Sequence, residues 1–224
     1  EQHRFGVLQR ADLISKAQSG SPHTLVMSAT PIPRTLSLIL YGDLDISVID
    51  ELPPGRKPIE TFALDETYRP RVNRFIEKEI SSGGRVYVIC PLVEENESLD
   101  RKSAEEHLKT LEKAFPNRRV ALLHGKMPSK KKQEIMTAFK EGNVDILIST
   151  TVVEVGVDVP EASLMIVENA ECFGLSGLHQ LRGRIGRGKR KSYCILMYDK
   201  QTPQSRERLE TMCRTSNGFE IAEA

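Results

Sequence analysis

From residue 59 onward, short apolar runs alternate with stretches in which apolar residues recur every three or four positions, and this alternation constrains the fold most. Several runs are continuously apolar, for example Val86-Tyr87-Val88-Ile89-Cys90, as is typical of parallel strands covered on both faces. Strand–helix alternation at this spacing predicts a doubly wound α/β sheet. The predicted strands are Ile59–Leu64, Arg85–Cys90, Arg119–His124, Val144–Ser149, Ser163–Glu168 and Ser192–Tyr198.

Helices between these strands are predicted from the same periodicity. Within Tyr68–Ser81, the apolar residues Val72, Ile76 and Ile80 fall on one helical face, and the glycines that follow supply a stop signal. The segments Ala104–Phe115 and Lys131–Lys140 repeat this pattern. Each helix is therefore expected to turn one apolar face towards the sheet.

The first fifty residues contain too few strands to close a sheet of their own. Thr24–Met27 and Ile46–Ile49 are the two strands predicted there, so this part is interpreted as the tail of a preceding domain. The proline-rich segment 53–58 is stiff and charged, as interdomain linkers are. The predicted organisation is a domain tail over residues 1–52, a linker over 53–58, a complete domain over 59–200 and a further region over 201–224.

Composition excludes several classes of protein. The 224 residues carry 32 Lys and Arg against 31 Asp and Glu, a net charge of +1, and 39% of them are hydrophobic. A disordered tail, or a protein that coats nucleic acid without specificity, would need a larger net charge. No apolar run approaches the roughly 18 residues of a membrane helix. The chain begins without a methionine or a signal-peptide pattern, so we expect a soluble segment of a longer protein.

The four cysteines, Cys90, Cys172, Cys194 and Cys213, form no C-x-x-C pair and have no histidine at zinc-finger spacing. Cys90 and Cys194 lie in apolar runs, where a free thiol behaves as a small hydrophobic side chain. We therefore expect free thiols, no metal site within the chain and a reducing, cytoplasmic compartment.

The strongest functional signal is a basic segment, residues 180–191, with the sequence Q-L-R-G-R-I-G-R-G-K-R-K. No acidic residue occurs between Cys172 and Tyr198, and such a concentration of cations is typical of a phosphate or nucleic-acid site. If the segment is helical, Arg184 and Arg187 share one face and two glycines share another. A solvated basic helix end is the alternative, but it does not explain glycines within a helix, which cost about 1 kcal/mol each relative to Ala.

Polar residues follow several predicted strands, where the ligand sites of α/β sheets lie. Thr150 and Thr151 end one strand and could hold phosphates through their hydroxyls, and Asp158 could accept a hydrogen bond from a ribose. Ser28-Ala29-Thr30 and His124-Gly125 occupy similar positions. Taken singly, Thr30 is better interpreted as a helix cap, His124 as structural, and Asp158 as bonded to its own loop.

The order and spacing of these motifs resemble those of helicases of the second superfamily. Glu1-Gln2-His3, Ser28-Ala29-Thr30, Thr150–Pro160 and Gln180–Arg187 are similar to the tail of motif II and to motifs III, V and VI. Further stretches, among them Asp50–Arg56, are similar to a bacterial branch of that superfamily that remodels branched DNA in replication-fork reversal, recombination and repair.

The resemblance covers essentially the whole chain and has consequences for the fold. It implies a RecA-like, P-loop-NTPase-type parallel sheet flanked by helices, the helicase C-terminal domain with motifs IV to VI, preceded by the tail of another RecA-like domain. Residues 201–224 would begin the helical translocation motif.

The resemblance also implies roles on the nucleotide side. Glu1 would orient or activate the attacking water, and Gln180 would help to position the water or the helix that carries the arginines. Arg184 and Arg187 would reach the γ-phosphate as arginine fingers, where the charge that develops during phosphoryl transfer gives a guanidinium its largest effect. Gly156 and Asp158 would also lie on this side.

On the DNA side, Ser28 and Thr30 would couple the nucleotide state to the grip on DNA. The residues implied to contact the DNA backbone are His124, Gly125, Thr150, Thr151 and Gly156, with Arg182 facing either DNA or solvent. The implied partners are branched or duplex DNA, ATP with Mg²⁺ and the first motor domain of the same parent chain, with no membrane.

The chain lacks a phosphate-binding loop of the form G-x-x-x-x-G-K-[ST] and the motif II aspartate. It would thus form one wall of an ATP cleft, and we expect no measurable ATPase activity from it alone. Two alternatives are a duplex-DNA translocase of transcription-coupled repair and a non-catalytic α/β module that binds nucleic acid. The second alternative gives the arginine–glycine segment little purpose. It would be excluded if a bound nucleotide increased the affinity of the chain for DNA.

Overall fold

The computed structural model describes residues 55–91, 97–150 and 158–223, together with Leu25, Met27, Asp45, Ser47 and Ile49. The chain divides into two compact units, Glu1–Asp45 and Ile46–Ala224, and the three continuous described ranges lie in the second unit. Of the strands predicted over 24–27 and 46–49, only Leu25, Met27, Ser47 and Ile49 are described, and these four are exposed and belong to no strand. The other residues of the two predicted strands lie outside the described part of the chain. The predicted boundaries of the domain tail and the linker stay predictions.

Six strands form one all-parallel sheet, as the apolar runs predict. The strands are β1 (Ile59–Asp65), β2 (Arg85–Ile89), β3 (Val120–Leu123), β4 (Ile146–Ser149), β5 (Ala162–Val167) and β6 (Ser192–Tyr198). Their spatial order is β1-β6-β5-β2-β4-β3, and every neighbouring pair is parallel. All strands therefore begin at one edge of the sheet and end at the other.

Helices connect the strands and cover the sheet. They are α1 (Arg69–Ser81), α2 (Glu97–Ala114), α3 (Ser129–Glu141), α4 (Leu175–Arg182), α5 (Pro203–Arg214) and α6 (Gly218–Glu223), with short 3-10 turns at Glu66–Tyr68 and Ala170–Cys172. Helix α2 begins well before the predicted Ala104, because its first turns are mostly polar and give no apolar periodicity. No helix within the described ranges combines the length and apolar character needed to cross a bilayer.

The core has two layers, one on each face of the sheet. Alternate residues of β2 point to opposite faces: Val86 and Val88 pack with α1 and α2, whereas Tyr87 and Ile89 pack with α3 to α6. Strand β4 is buried along its whole length, as expected for a central parallel strand. Burial of each such aliphatic side chain contributes about 1.5–3 kcal/mol to folding, so the sheet is a rigid platform for the loops at its edges.

Helix α4 ends earlier than the basic segment predicts. Its last residue is Arg182, Gly183 is the C-cap, and Gly186 has a left-handed φ of +72°. Arg184 and Arg187 therefore lie on a loop and do not share a helix face. The prediction of a helix through both arginines was wrong, because charge spacing alone does not register the backbone turn that Gly186 allows.

Candidate functional site

The basic segment is held against the sheet by helix α4. Leu178 and Leu181 of this helix are 1% and 0% exposed and belong to the core. The chain then leaves the helix and forms a loop before β6. We call residues 183–188 the arginine loop, because it presents Arg184 and Arg187.

Two glycines let the arginine loop lie close to its neighbours. A Cβ atom at Gly186 would lie 2.9 Å from Cγ1 of Ile59 at the start of β1, and one at Gly188 would lie 2.2 Å from the carbonyl oxygen of Pro160. Neither position has room for a side chain. The loop is therefore fixed at the edge where β1, β5 and β6 begin.

Arg187 and Asp158 meet at this edge. Nη1 of Arg187 lies 3.4 Å from Oδ1 of Asp158, and its Nε donates to the Gly183 carbonyl at 3.3 Å. The two side chains are 39% and 52% exposed. An ion pair this open contributes less than about 1 kcal/mol, so a bound phosphate can replace the carboxylate at little cost.

Arg184 adds a second positive charge to the same place. Its side chain is half-buried, and it forms no ion pair within the described part of the chain. Burial raises the pKa of Tyr87 to about 12, while the charges of Arg184 and Arg187 oppose that rise. The charges of two guanidinium groups and of the exposed Asp158 carboxylate thus act on the same tyrosine, and two guanidinium groups at one place suit an anionic ligand.

Arg182 has a different role from its neighbours. It is 4% exposed, and its Nη1 donates to the carbonyls of Met212 and Thr215, at 2.7 and 3.0 Å. These carbonyls end helix α5, where backbone acceptors are left without partners and a positive charge is favourable. The implied contact of Arg182 with DNA is therefore corrected, because its guanidinium is buried and donates to backbone carbonyls inside the fold.

His179 lies beside this buried arginine. Nη2 of Arg182 approaches Nδ1 of His179 at 3.4 Å. Burial, and then the charge of Arg182, lower the pKa of His179 below its usual value. Because arginine can act only as a donor, Nδ1 is the acceptor and the imidazole is neutral at this position.

Three of the predicted DNA-side residues lie at the other edge of the sheet. His124 and Gly125 follow β3, and Thr150 follows the neighbouring β4. The N–H of Thr150 donates to the Leu123 carbonyl at 3.3 Å, and the residue is 5% exposed. Its hydroxyl is thus inside the fold, whereas Gly125 is exposed.

Lysines surround the exposed turn after β3. The ammonium group of Lys132 donates to the Gly125 carbonyl at 2.5 Å. Lys126, Lys130 and Lys131 are exposed within the same short stretch. This end of the sheet therefore carries a second concentration of positive charge, which the sequence-based predictions did not single out although the run of three lysines is plain.

A buried ion pair at this edge was also missed. Arg69 donates from Nη1 and Nη2 to the two oxygens of Glu168, at 2.7 and 2.6 Å. The Glu168 side chain is 5% exposed, and hydrogen bonds to Glu168 and Glu66 raise the pKa of Arg69 against the opposing effect of burial. The pair joins the start of α1 to the end of β5. Its partners are far apart in sequence, so no local pattern reveals it.

Other predicted site residues are only partly covered by the structure. Gln180 lies on α4 and is half-buried. Glu1, Ser28, Thr30, Thr151 and Gly156 lie outside the described residues. Within the described residues no three or more His, Cys, Asp or Glu side chains cluster as ligands of a metal ion.

Comparisons with known proteins find matches among helicases. A model of the helicase conserved C-terminal domain family matches residues 70–189. Over 100% of its length, the chain is 54% identical to the ATP-dependent DNA helicase RecG of Synechocystis sp. and 48% identical to that of Bacillus subtilis. It spans 27% and 33% of those two relatives.

Solved structures give the same result for the fold. A structure of RecG bound to a three-way DNA junction matches with a TM-score of 0.80 and 42% identity, over 100% of this chain and 28% of that one. Dbp5 of S. cerevisiae bound to RNA and ADP BeF3 matches with a TM-score of 0.54 and 18% identity, over 86% of this chain and 48% of that one, and shows the fold alone. The RecA-like parallel sheet predicted for this chain is confirmed.

Proposed function

The chain belongs to the helicase conserved C-terminal domain family, and from that premise we propose that it is the second motor domain of an ATP-dependent DNA helicase that remodels branched DNA. The chain is similar to RecG over the whole of the chain's own length, and this similarity supports the choice of enzyme. In this proposal the chain supplies one wall of the ATP cleft and part of the DNA track, and the remaining parts come from a longer protein.

The observation that carries the proposal is the pairing of Arg187 with Asp158. Arg187 is fixed through its Nε to the loop backbone, yet its Nη1 has a weak, exposed partner at 3.4 Å. In ATP hydrolysis, negative charge on the transferred phosphoryl group is best stabilised by a guanidinium that is already in place. We assign Arg187 and Arg184 to the γ-phosphate and Asp158 to the nucleotide side.

The carboxyl edge of the sheet is assigned to DNA. His124, Gly125 and the lysines at the start of α3 lie there, and exposed lysines neutralise backbone phosphates without regard to sequence. Buried Thr150 would act through its backbone or through a rearrangement on binding. Four residues outside the described part keep their implied places: Thr151 and Gly156 on the DNA or nucleotide side, and Ser28 and Thr30 in coupling. Gln180 on α4 is assigned to the attacking water, together with Glu1, which also lies outside the described residues.

Compartment and partners follow from this assignment. An enzyme that acts on chromosomal DNA works in the bacterial cytoplasm, and the relatives compared above are bacterial. All four cysteines are free, which suits a reducing compartment. ATP with Mg²⁺, branched DNA and the first motor domain are the proposed partners.

The test uses a chimera in which these 224 residues replace the matching segment of the Synechocystis relative. We expect ATP hydrolysis that branched DNA stimulates, and a fall in kcat of about 100-fold or more for Arg187→Ala. Arg118→Ala is the control, because Arg118 also pairs with one carboxylate, Glu77, but lies away from the arginine loop. A folded chimera without DNA-stimulated hydrolysis, or an Arg187→Ala chimera at full rate, would contradict the proposal.

A further inference from the structure

Arg56 lies outside the sheet but reaches the arginine loop. It precedes the first residue of β1, in a segment predicted from sequence to be a linker. Its Nη2 donates to the carbonyl of Gly183 at 3.3 Å and to that of Ile185 at 3.5 Å. These two carbonyls lie on either side of Arg184.

The same carbonyl also holds Arg187. Nε of Arg187 donates to the Gly183 oxygen at 3.3 Å, so Arg56 and Arg187 share one acceptor. The contact of Arg56 thereby fixes the backbone on both sides of Arg184 and the oxygen that orients Arg187. Arg56 has this effect through the loop backbone, and the effect needs no contact between its side chain and the side chains of Arg184 and Arg187.

A second contact strengthens the connection between β1 and the loop. Ile59, the first residue of β1, packs against Gly186, where a Cβ atom would lie 2.9 Å from its Cγ1. The segment 56–59 thus meets the arginine loop at two points, through a hydrogen-bonding side chain and through an apolar one. The loop has no regular secondary structure of its own to hold it.

We propose that Arg56 is a positioning residue for the nucleotide reaction: it holds the arginine loop so that Arg184 and Arg187 face the γ-phosphate. The proposal rests on the proposed function of those two arginines. Both hydrogen bonds come from Nη2, which the planar guanidinium holds at the end of a longer side chain, whereas the ammonium group of a lysine ends a shorter, flexible stem and would not take the same place. The loss of such positioning lowers the rate of the chemical step more than it weakens binding.

The experiment measures DNA-stimulated ATP hydrolysis by the chimera described above, with kcat and KM for ATP determined separately. We expect Arg56→Ala and Arg56→Lys to lower kcat about tenfold and to change KM less than about twofold. Lys57→Ala is the matched control, because Lys57 is the exposed neighbour in the same segment, and it should keep the parent rate. Thermal unfolding of each variant reports whether the fold is retained.

The double variant Arg56→Ala/Arg187→Ala separates positioning from general weakening. If Arg56 acts through the arginine loop, the double variant loses less rate than the product of the two single-variant losses, because only Arg184 remains to be positioned. This inference would be overturned if the rate losses of the two single variants multiplied in the double variant, or if both Arg56 variants kept the full rate. The proposed role of the arginine fingers would stand in either case. A full rate for Arg187→Ala would instead overturn the proposed function. If Arg56→Ala does not fold, Arg56→Lys carries the same test.

Discussion

Single residues of the basic segment differ in what their charges do, and their surroundings decide it. Arg187 keeps an exposed side chain whose charge has one weak partner, Asp158, while Arg182, five positions earlier, is buried with two backbone carbonyls as acceptors. The acceptors of Arg182 come from the end of α5, far along the chain. A basic sequence therefore predicts where cations are concentrated, but it does not tell which of them remain available to a ligand.

The first prediction concerns the buried arginine. Arg182→Met keeps most of the apolar stem but removes the donors to Met212 and Thr215, leaving buried acceptors without partners. We expect the free energy of unfolding to fall by about 2 kcal/mol. Lys189→Met is the matched control, because Lys189 is exposed and a surface change of this kind stays within about 0.5 kcal/mol. Urea unfolding of the two variants measures the difference, and equal stabilities would contradict the structural role.

A second prediction follows from the pKa of His179, which burial and Arg182 lower below the usual 6.5. Below pH 6.5 the unfolded chain takes up a proton at this imidazole, whereas the folded chain does so only at a lower pH. The unfolded state then binds more protons, so the free energy of unfolding falls as the pH falls below about 6.5, until the folded pKa is passed.

Urea unfolding at a series of pH values between 7 and 5, on the parent chain and on His179→Gln, tests this prediction. The glutamine variant lacks the titrating group and should show a shallower dependence on pH across this window. NMR titration of the His179 ring should give a pKa below 6.5. Identical pH profiles for the two proteins would show that His179 does not titrate differently on folding.

Regular elements and loops differ in how far the sequence determines them. Each of the six strands was predicted to within two residues at either end, because most of them are largely apolar runs, as parallel strands covered on both faces require. The edge strand β1 is the exception, since Glu60 and Thr61 interrupt its apolar residues. The arginine loop was predicted as helix. Its course depends on Ile59 and Pro160, residues from other parts of the chain, and on the positive φ of Gly186, none of which leaves a local pattern.

The packing of the arginine loop gives a third prediction, in which two glycines have opposite responses to the same change. At Gly188 an added methyl group meets the Pro160 carbonyl, so Gly188→Ala should displace the loop and cost about 1–3 kcal/mol. At Gly177, within helix α4, an added methyl group would have no neighbouring atom within 4 Å among the described residues, so Gly177→Ala should stabilise the protein by about 0.5–1 kcal/mol.

Thermal unfolding of the two alanine variants checks these signs. Hydrogen exchange of the loop amides adds a local readout, since Gly188→Ala should speed exchange across 183–188 and Gly177→Ala should not. Two variants with the same sign of change would show that the close approach at Gly188 does not control the loop.

Across the described part of the chain, the two concentrations of positive charge discussed above lie apart. The arginine loop lies where strands begin, and the lysines after β3 lie where strands end, so the rigid sheet stands between them. An ATP-driven motor needs such a division, because nucleotide and DNA must be held at the same time by one body. The sequence motifs indicated residues for the nucleotide and residues for DNA, but only the parallel arrangement of the strands shows that the two sets lie at opposite edges of the sheet.

The last prediction concerns the chain by itself. It contains the two arginines that we propose for the γ-phosphate, but its sequence has no G-x-x-x-x-G-K-[ST] loop to hold the other phosphates. Positioned guanidinium groups accelerate hydrolysis only when the nucleotide is fixed beside them. We therefore expect the purified 224-residue chain to release phosphate from ATP no faster with branched DNA than without it. The parent chimera, assayed beside it, is the positive control. DNA-stimulated phosphate release by the isolated chain that Arg187→Ala abolishes would mean that these residues form a complete ATP site.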